Sequence, residues 1–419
     1  MKALFKISRV VLTLVLFTAC SVDQPENSAS KFDWPQWLGV ERNGRSAETD
    51  LLKTWPEGGP QELWRVEVGG GYSGLSISQG RLYTMVCDST DEYVLCLDAE
   101  SGNELWRVRS DSAYVDRFDN GNGPRSTPTV DVNGRFVFAL GAHGALGAYA
   151  KDSGELVWRK NLKTDFNSPG PAGDGGFASS PLIEGDMLLV ETGGAANNSF
   201  AAFDKNTGGL LWQTASDSAG FASPVAITVH GERQIVFFSS ESMTALAAET
   251  GEIRWRLPWK TPYNISTNAP IFIPPDRMLV SSINDMGSAL IRLEKSGDDF
   301  SVNEIWRSNK VLNSYATPIL HDGYLYGFQN TFLSCVALDS GEEQWRQRGF
   351  SYGTLAYADS HLVVLGEKGK LAFVEAVPDA YNEKAAVEVL GNRCYTPPSI
   401  ANGKLYLRDE STILCLLLK

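Results

Sequence analysis

The stretch Asp98-Ala-Glu-Ser-Gly102-Asn-Glu-Leu-Trp106 is the clearest copy of a phrase that recurs along this chain. In each copy an apolar strand is followed by a Ser/Thr-Gly turn, and a Trp comes four residues after the Gly. Gapless copies also end at Trp158, Trp212, Trp255 and Trp345, and an expanded copy ends at Trp306. Such self-similarity is typical of repeat architectures, in which each unit buries its apolar face against its neighbours.

A second phrase opens each unit and sets the number of units. It consists of small residues, usually a Pro, and then two short apolar runs separated by a turn. The copies begin at Ser126, Ser179, Ser223, Asn268, Ala316 and Thr396, with equivalents that lack the Pro at Tyr72 and Gly353. Eight openings, each leading into strand-sized runs, predict an all-β fold. The prediction is an eight-bladed β-propeller of four-stranded antiparallel blades.

The two ends of the repeat region predict how the ring closes. The last unit, which begins at Thr396, has only three strands and no Trp, whereas residues 62–68 carry a fourth-strand pattern with no blade before it. An N-terminal strand that joins the C-terminal blade would remove the exposed sheet edges that promote aggregation. The seventh unit is the weakest, because it lacks the Ser-Gly turn and an apolar residue near Val387 stands in for the Trp. A seven-bladed ring is therefore the alternative.

The N-terminus has the pattern of a bacterial lipoprotein. Residues 1–19 are interpreted as a signal peptide, because a basic start precedes an apolar run that is too short to span a membrane. The run ends at Cys20 in a sequence that resembles a lipobox, which predicts lipidation of Cys20; the alternative is a cleaved signal with an incidental cysteine. Residues 20–31 are expected to form a flexible tether. Residues 32–61 are expected to pack as an extension on the propeller of residues 62–419.

The composition excludes several classes of protein. The chain has 419 residues, of which 43% are hydrophobic and 21% charged, so it is globular rather than disordered. Lys and Arg number 37 against 50 Asp and Glu, which gives a net charge of −13. Because phosphate contacts need clustered cations, we expect no nucleic-acid partner.

The cysteines and histidines give little sign of chemistry. Cys87 and Cys96 lie on successive predicted strands of one unit, so a disulfide between them is an open alternative if the chain resides in an oxidising envelope. The four histidines fall in turns of different units, which argues against a shared metal site or a catalytic base. No catalytic or metal-binding residue is therefore assigned.

The recurring Ser/Thr-Gly and Trp phrase resembles the repeat of the pyrroloquinoline-quinone (PQQ) propeller superfamily, over about residues 62–419. One branch of that superfamily comprises PQQ-dependent alcohol and glucose dehydrogenases of the periplasm. Another comprises BamB-like lipoproteins of the outer-membrane assembly machinery, which bind partners and catalyse nothing. The segment Asp33-Trp-Pro-Gln-Trp-Leu-Gly39 also resembles the opening of a group of bacterial PQQ-like envelope proteins. For that group the resemblance implies the fold and not the activity.

The resemblance to the dehydrogenases implies features that this chain lacks. In those enzymes a disulfide between adjacent cysteines clamps the quinone, and calcium is held by carboxylates and an amide. The chain has no Cys-Cys pair, and no motif places the calcium ligands. The sequence thus favours a non-catalytic protein without a cofactor. A PQQ-dependent enzyme that binds PQQ and calcium is kept as the alternative.

The propeller pattern singles out two sets of residues. The first consists of tryptophans expected to bury their rings where neighbouring blades meet: Trp64, Trp106, Trp158, Trp212, Trp255, Trp306 and Trp345. The second lies on polar loops expected on one face of the ring, which is where binding usually resides: Asp116, Arg117, Asp119, Arg125, Asp165, Asn284 and Asp285.

From these patterns we expect a non-catalytic, monomeric, lipid-anchored scaffold that binds other envelope proteins. The BamB-like resemblance implies outer-membrane protein assembly as its process. Ser21 after the cysteine favours the periplasmic face of the outer membrane over the inner membrane. The alternatives are a PQQ-dependent oxidoreductase of alcohols or sugars and a protein that binds envelope polysaccharide.

Overall fold

The computed structural model describes residues 30–419, apart from residues 119, 172–174, 262, 284–285, 311 and 313. Eight separate sheets, each of four antiparallel strands, form the blades of a ring. The eight-bladed β-propeller is thereby confirmed, and the seven-bladed alternative is wrong. In the described part of the chain, no helical segment has the length and apolar character that crossing a membrane requires.

Chain order is broken only in the last blade, which contains the first strand, β1 (Glu62–Glu67). In the other blades the strands run in sequence from the innermost to the outermost. Blade 1 comprises β2 (Ser76–Ser78), β3 (Arg81–Cys87), β4 (Asp91–Asp98) and β5 (Glu104–Ser112). Blade 2 comprises β6 (Thr129–Val130), β7 (Phe136–Leu140), β8 (Ala145–Ala150) and β9 (Leu156–Asn161), and is followed by the short helix α1 (Leu162–Asp165). Blade 3 comprises β10 (Leu182–Glu184), β11 (Met187–Gly194), β12 (Asn198–Asp204) and β13 (Leu210–Thr214).

The remaining blades repeat this arrangement. Blade 4 comprises β14 (Val225–Val229), β15 (Glu232–Phe238), β16 (Ser242–Ala247) and β17 (Ile253–Pro258). Blade 5 comprises β18 (Ile271–Ile273), β19 (Arg277–Ser282), β20 (Gly287–Ser296) and β21 (Asp299–Ser308). Blade 6 comprises β22 (Ile319–His321), β23 (Tyr324–Gln329), β24 (Phe332–Ala337) and β25 (Glu343–Gln347). Blade 7 comprises β26 (Thr354–Ala358), β27 (His361–Leu365), β28 (Lys370–Glu375) and β29 (Glu383–Glu388), and blade 8 comprises β30 (Ser399–Ala401), β31 (Lys404–Arg408), β32 (Thr412–Leu417) and β1.

Ring closure follows the predicted scheme. Strand β1 pairs antiparallel with β32, so that Trp64 lies opposite Cys415 and Val66 opposite Ile413. The first strand of the repeat region thereby becomes the outermost strand of the last blade. The N-terminal and C-terminal parts of the propeller are held together by a full ladder of backbone hydrogen bonds.

We call the contact between two adjacent blades a seam, and the recurring phrase builds the outer end of most of them. Gly102 of blade 1 has φ +73°, and a Cβ there would lie 2.7 Å from the Trp64 ring of blade 8. Only glycine combines this conformation with this close approach. The indole Nε1 then donates to a backbone carbonyl of the next blade: Trp64 to Ala99 (3.1 Å), Trp106 to Lys151 (3.0 Å), Trp158 to Lys205 (3.0 Å), Trp212 to Ala248 (3.1 Å), Trp306 to Leu338 (2.7 Å) and Trp345 to Val377 (2.9 Å).

Blade 7 has no Trp of its own at the outer end of its seam, and a Trp from outside the repeat packs there instead. The strand register places Ala385 opposite Phe373, at the bulge where other blades carry their Trp, so the apolar residue expected near Val387 is Ala385. Trp55 of the N-terminal extension packs edge-on against Phe373, with ring centroids 5.2 Å apart. The extension therefore supplies this seam with the indole that the blade itself lacks.

Candidate functional site

The central channel is lined by the innermost strands of the blades, and hydroxyls of the opening phrase tie these strands together. Ser76 Oγ of blade 1 donates to the carbonyl of Pro128 in blade 2, at 2.6 Å. Thr129 Oγ1 of blade 2 donates in the same way to Pro181 of blade 3, also at 2.6 Å. These hydroxyls are thus engaged in joining blades and are not directed at a ligand.

The two faces of the ring differ in what they carry. One face, the turn face, holds the turns between the first and second and between the third and fourth strands of each blade. The other, the loop-bearing face, holds the connections between blades and the turns between the second and third strands. The N-terminal extension begins on the turn face, where the Asp33 carboxylate accepts hydrogen bonds from Gln79 N (3.1 Å) and Asn402 Nδ2 (3.1 Å).

Residues 33–48, which we call the channel plug, run from the turn face into the channel. Trp34 forms an isolated antiparallel bridge with Ile77 of β2, and Gly44 O accepts a hydrogen bond from Tyr357 N of β26 at 2.8 Å. Hydrogen bonds from the plug reach residues of seven blades: Ile77, Val130, Pro181, Pro224, Leu320, Tyr357 and Gly403.

Arg42 lies at the centre of the plug and is only 4% exposed. Its guanidinium donates to Pro181 O at 2.5 Å and Ser180 O at 3.2 Å in blade 3, and to Pro224 O at 2.6 Å in blade 4. Burial lowers the pKa of Arg42 to about 9, because the charged form loses its water. The guanidinium thus stays charged at neutral pH and joins the inner ends of two blades.

Residues 44 and 45 fix the other side of the plug. Gly44 has φ +72°, and a Cβ there would lie 2.5 Å from Ile319 Cδ1 of blade 6. The Arg45 guanidinium donates to Leu320 O and lies 4.1 Å above the ring of Tyr357 in blade 7. Gly44 is therefore a point of close contact between the plug and blade 6.

The channel does not fit a quinone cofactor. A cavity between the plug and the inner strands of blades 1, 2 and 8, lined by residues such as Trp37, Leu38 and Leu75, measures about 10 Å³. A cavity of this size has room for about one water, whereas pockets for organic ligands measure roughly 300–1,000 Å³. Among the described residues, no three His, Cys, Asp or Glu side chains are grouped as ligands of one metal ion. The side chains of the plug thus fill this part of the channel.

The cysteines in the described part of the chain are buried, reduced and chemically quiet. Cys87 lies opposite Glu92 in the β3–β4 ladder and Cys96 lies opposite Tyr83, so the disulfide that the sequence left open does not form. Burial raises the pKa of Cys87 to about 11 and that of Cys96 to about 12. Neither thiol is a thiolate at neutral pH, which is the reactive form.

On the loop-bearing face, the predicted residues Asp116 and Arg125 bind each other. Arg125 Nη2 lies 3.0 Å from Asp116 Oδ2, and Arg125 Nη1 reaches Gly175 O of the neighbouring loop at 3.1 Å. Burial opposes ionisation of Asp116, yet the backbone amides of Asn120 and Phe118 and the Arg125 charge bring its pKa below the ordinary value. This pair therefore shapes and joins two loops.

The other predicted loop residues are dispersed. Asp165 is the last residue of α1, and its carboxylate accepts a hydrogen bond from the backbone of Asn161 at 2.9 Å. Arg117 is exposed on the connection after β5. Asp119, Asn284, Asp285 and the lipidation candidate Cys20 lie outside the described residues.

Two buried carboxyl groups tie blade ends to the connections. Glu191 of β11 accepts a hydrogen bond from Gly220 N at 3.0 Å, and burial raises its pKa to about 8. Glu92 of β4 accepts from Ala142 N of blade 2 at 3.0 Å, and burial raises its pKa to about 7. Each carboxyl group accepts a hydrogen bond from a backbone amide in a neighbouring part of the ring. We therefore attribute the raised pKa values to burial at structural contacts and not to a catalytic cleft.

The loop-bearing face exposes aromatic side chains, most of which sequence reasoning missed. On the long loops after blades 1 and 2, Tyr114 and Phe166 are buried and Phe118 is 66% exposed. Three tyrosines in later connections are also exposed, Tyr263, Tyr315 and Tyr352. The sequence signal that could have revealed them is their common position between the fourth strand of one blade and the first strand of the next.

Comparison with known proteins agrees with this architecture. The family model described as outer membrane protein assembly factor BamB matches residues 90–347. The BamB of Moranella endobia is 22% identical over 324 residues, which cover 76% of this chain and 70% of that protein. The crystal structure of BamB from Moraxella catarrhalis matches with a TM-score of 0.59 at 13% identity, over 85% of this chain and 99% of that one. Quinohemoprotein alcohol dehydrogenase from Comamonas testosteroni matches with a TM-score of 0.62 at 12% identity, over 94% and 81% of the two chains, and at these identities both structures show the fold alone. The resemblance drawn from the repeat is thus confirmed, and the chain belongs to the family of the outer membrane protein assembly factor BamB.

Proposed function

We propose that this chain is a non-catalytic scaffold for outer-membrane protein assembly. It is held by a lipid on Cys20 at the periplasmic face of the outer membrane, where it binds other envelope proteins as a monomer. The observation that carries the proposal is the channel plug, because it occupies the place where a propeller of this superfamily would hold a cofactor. Binding is then left to the outer surfaces of a rigid ring.

Family membership supports the choice of process. The relatives from Moranella endobia and Burkholderia pseudomallei are both named outer membrane protein assembly factor BamB. A closed ring with six tryptophan hydrogen bonds across its seams is a stiff platform, and stiff platforms hold binding loops at low entropic cost. The net charge of −13 keeps such a platform soluble beside the membrane.

Depletion of the chain in its own bacterium tests this proposal. We expect the folded β-barrel proteins of the outer membrane to decrease, and wild-type protein to restore them. A Cys20→Ala variant should move to the soluble fraction and restore them less well, whereas the neighbouring Ser21→Ala variant should stay with the membrane. Unchanged β-barrel levels on depletion would contradict the assembly role, and a membrane-bound Cys20→Ala variant would contradict the lipid anchor.

The non-catalytic part of the proposal has a separate test. Detergent-solubilised full-length chain is titrated with PQQ and calcium while tryptophan fluorescence and melting temperature are followed. Because the plug leaves no room, we expect no saturable change. Saturable binding at micromolar quinone or tighter would favour the oxidoreductase alternative and would justify a screen of alcohols and sugars.

A further inference from the structure

Three successive connections on the loop-bearing face share a composition. Each follows the outermost strand of a blade, namely β17, β21 and β25, and each carries one exposed cation and one exposed tyrosine. The tyrosines are 69%, 57% and 37% exposed in chain order. Because the three connections are consecutive, these residues follow an arc of the ring over blades 4 to 7. We call the following set the basic crescent: Lys260 and Tyr263, Lys310 and Tyr315, Arg348 and Tyr352.

The cations of the basic crescent are not neutralised within the chain. Among the described residues, no carboxylate lies within 4.0 Å of Lys260, Lys310 or Arg348. Elsewhere the chain pairs many of its cations closely, as in Arg233–Glu184 at 2.7 Å. In a protein of net charge −13, unpaired cations gathered on one arc are available for an anion from outside.

The surface of the basic crescent has a defined shape. Next to Lys310 lies an open cavity of about 510 Å³, lined by Met286, Arg307, Ser308, Asn309 and Lys310. Arg307 lies 4.3 Å above the buried ring of Trp259, which fixes one wall of the cavity. The rings of Tyr315 and Tyr352 meet edge-to-face with centroids 5.9 Å apart, and so join two of the connections.

The other side of the same face behaves differently. There the connection after β5 uses its cation internally, since Arg125 pairs with Asp116. The turn between the second and third strands of blade 1 presents the exposed Asp88, and Asp91 beside it is paired with Arg109 at 2.6 Å. Lys163, after β9, is also an exposed cation without a carboxylate within 4.0 Å among the described residues, but no exposed tyrosine accompanies it. Blades 4 to 7 are therefore distinguished by the repeated combination of an unpaired cation with an exposed tyrosine.

We propose that the basic crescent docks an acidic segment of a partner protein, an inference that rests on the scaffold function proposed above. Lysine and arginine at the rim of an interface attract Asp and Glu over a distance and set the register of the complex. Exposed tyrosines supply rigid, amphipathic contact area and are enriched at protein interfaces. The combination of three cations with three tyrosines fits a peptide segment that carries both carboxylates and apolar side chains.

The direction from which the chain enters the fold argues against anionic lipid as the occupant. Ser30, the first described residue, donates through Oγ to Asn402 Oδ1 at 2.7 Å, and Asn402 lies on the turn face. The segment that leads to Cys20 therefore joins the propeller on the face opposite the basic crescent.

The test uses the full-length chain in its own bacterium, with a photo-crosslinking amino acid in place of Tyr315. The crosslinked partner peptide is identified by mass spectrometry, and we expect it to be rich in Asp and Glu. The triple variant Lys260→Glu, Lys310→Glu and Arg348→Glu should lower the crosslink yield on the order of tenfold. A matched control, Arg135→Glu, Lys160→Glu and Lys163→Glu, makes the same change in net charge over blade 2 and should keep the yield.

Each other outcome overturns the proposal. These outcomes are no crosslink from a folded, membrane-bound chain, a crosslink to lipid or glycan, a peptide without acidic residues, or an unchanged yield in the triple variant. Melting temperatures of both triple variants check that the ring is intact. Failure of the scaffold function is separate: it shows as normal β-barrel levels after depletion. A triple variant that fully replaces wild type in depleted cells would reject the crescent alone.

Discussion

The outer and inner ends of the seam between blades 3 and 4 are built on different principles. At the outer end, Trp212 donates to Ala248 O at 3.1 Å and packs on Gly251. Trp212 and Gly251 both belong to the repeated phrase. At the inner end, Arg42 of the channel plug joins Pro181 of blade 3 to Pro224 of blade 4. The outer contact recurs around the ring, whereas the inner contact is made by a single side chain from outside the repeat.

The difference teaches how a repeat protein can acquire a specific character. Repeated contacts define the number of blades and the closure of the ring, and they are the same whatever the channel contains. The plug decides what the channel can hold, and it does so with a few residues that bind backbone carbonyls. The outer end of the seam therefore stabilises the fold, and the inner end limits what the channel can hold.

The largest expected effect is at the inner end. Replacing Arg42 by Ala removes its hydrogen bonds to three buried carbonyls and leaves a cavity, so we expect the free energy of unfolding to fall by about 3 kcal/mol. Urea denaturation measures the loss. Arg42→Met keeps much of the volume without the charge and should recover only part of it. Arg135→Ala, at an exposed position, is the control and should change the free energy of unfolding by less than about 0.5 kcal/mol. A loss as large as that of Arg42→Ala would contradict the stabilising role assigned to Arg42.

An intermediate effect is expected from Glu191, which ties β11 to the connection between blades 3 and 4. Its pKa is about 8 in the folded chain and 4.5 as the ordinary value, so between these pH values the folded state binds more protons than the unfolded state. The free energy of unfolding therefore falls as pH rises through this window, by up to about 1.4 kcal/mol per pH unit. Glu191→Gln removes this dependence and should be more stable than wild type by about 2 kcal/mol at pH 6, but not at pH 4.

Unfolding in urea at both pH values checks the Glu191 prediction. The control is Glu57→Gln, which changes an exposed carboxyl group in the N-terminal extension. A variant that tracks wild type from pH 4 to pH 8 would mean that Glu191 ionises freely in the folded state.

The smallest expected effect separates two kinds of outer contact. Trp212→Phe leaves the Ala248 carbonyl without its donor and should cost about 1 kcal/mol. Trp255 instead donates to Gln234 Oε1 of its own blade at 2.9 Å, so its acceptor is a side chain that can be replaced. We expect Trp255→Phe to cost a similar amount and the added change Gln234→Leu to restore most of it. A double variant no better than the single one would show that the indole volume, and not the hydrogen bond, matters there.

The fold was predictable because each repeat states the same physical rule. A Gly with positive φ, a Trp four residues later and an apolar strand recur often enough to fix the strand order and the closing strand β1. The sequence placed an apolar residue near Val387 where the repeat fails, but it did not predict that Trp55 from the extension packs on Phe373 there. A contact that joins a repeat to a unique segment has no periodicity to reveal it.

The candidate site was much less predictable, for a related reason. The sequence suggested that residues 32–61 pack on the propeller, but Arg42 binds backbone carbonyls, which have no sequence signature. The basic crescent gathers residues that lie up to 92 positions apart, and they share an arc only because the ring brings successive connections side by side. By contrast, Asp116 and Arg125 were singled out as binding residues because a sequence shows charges and not their partners.

The position of the channel plug in the chain has a consequence for how the protein is made. The plug precedes every strand of the propeller, yet its hydrogen-bonding partners extend from Ile77 to Gly403. A segment that leaves the ribosome first thus obtains its last partners only after nearly the whole chain has followed. Contacts between residues so far apart in sequence form slowly. We therefore expect a window during folding in which the channel is still open, and during that window the plug is available to chaperones and proteases.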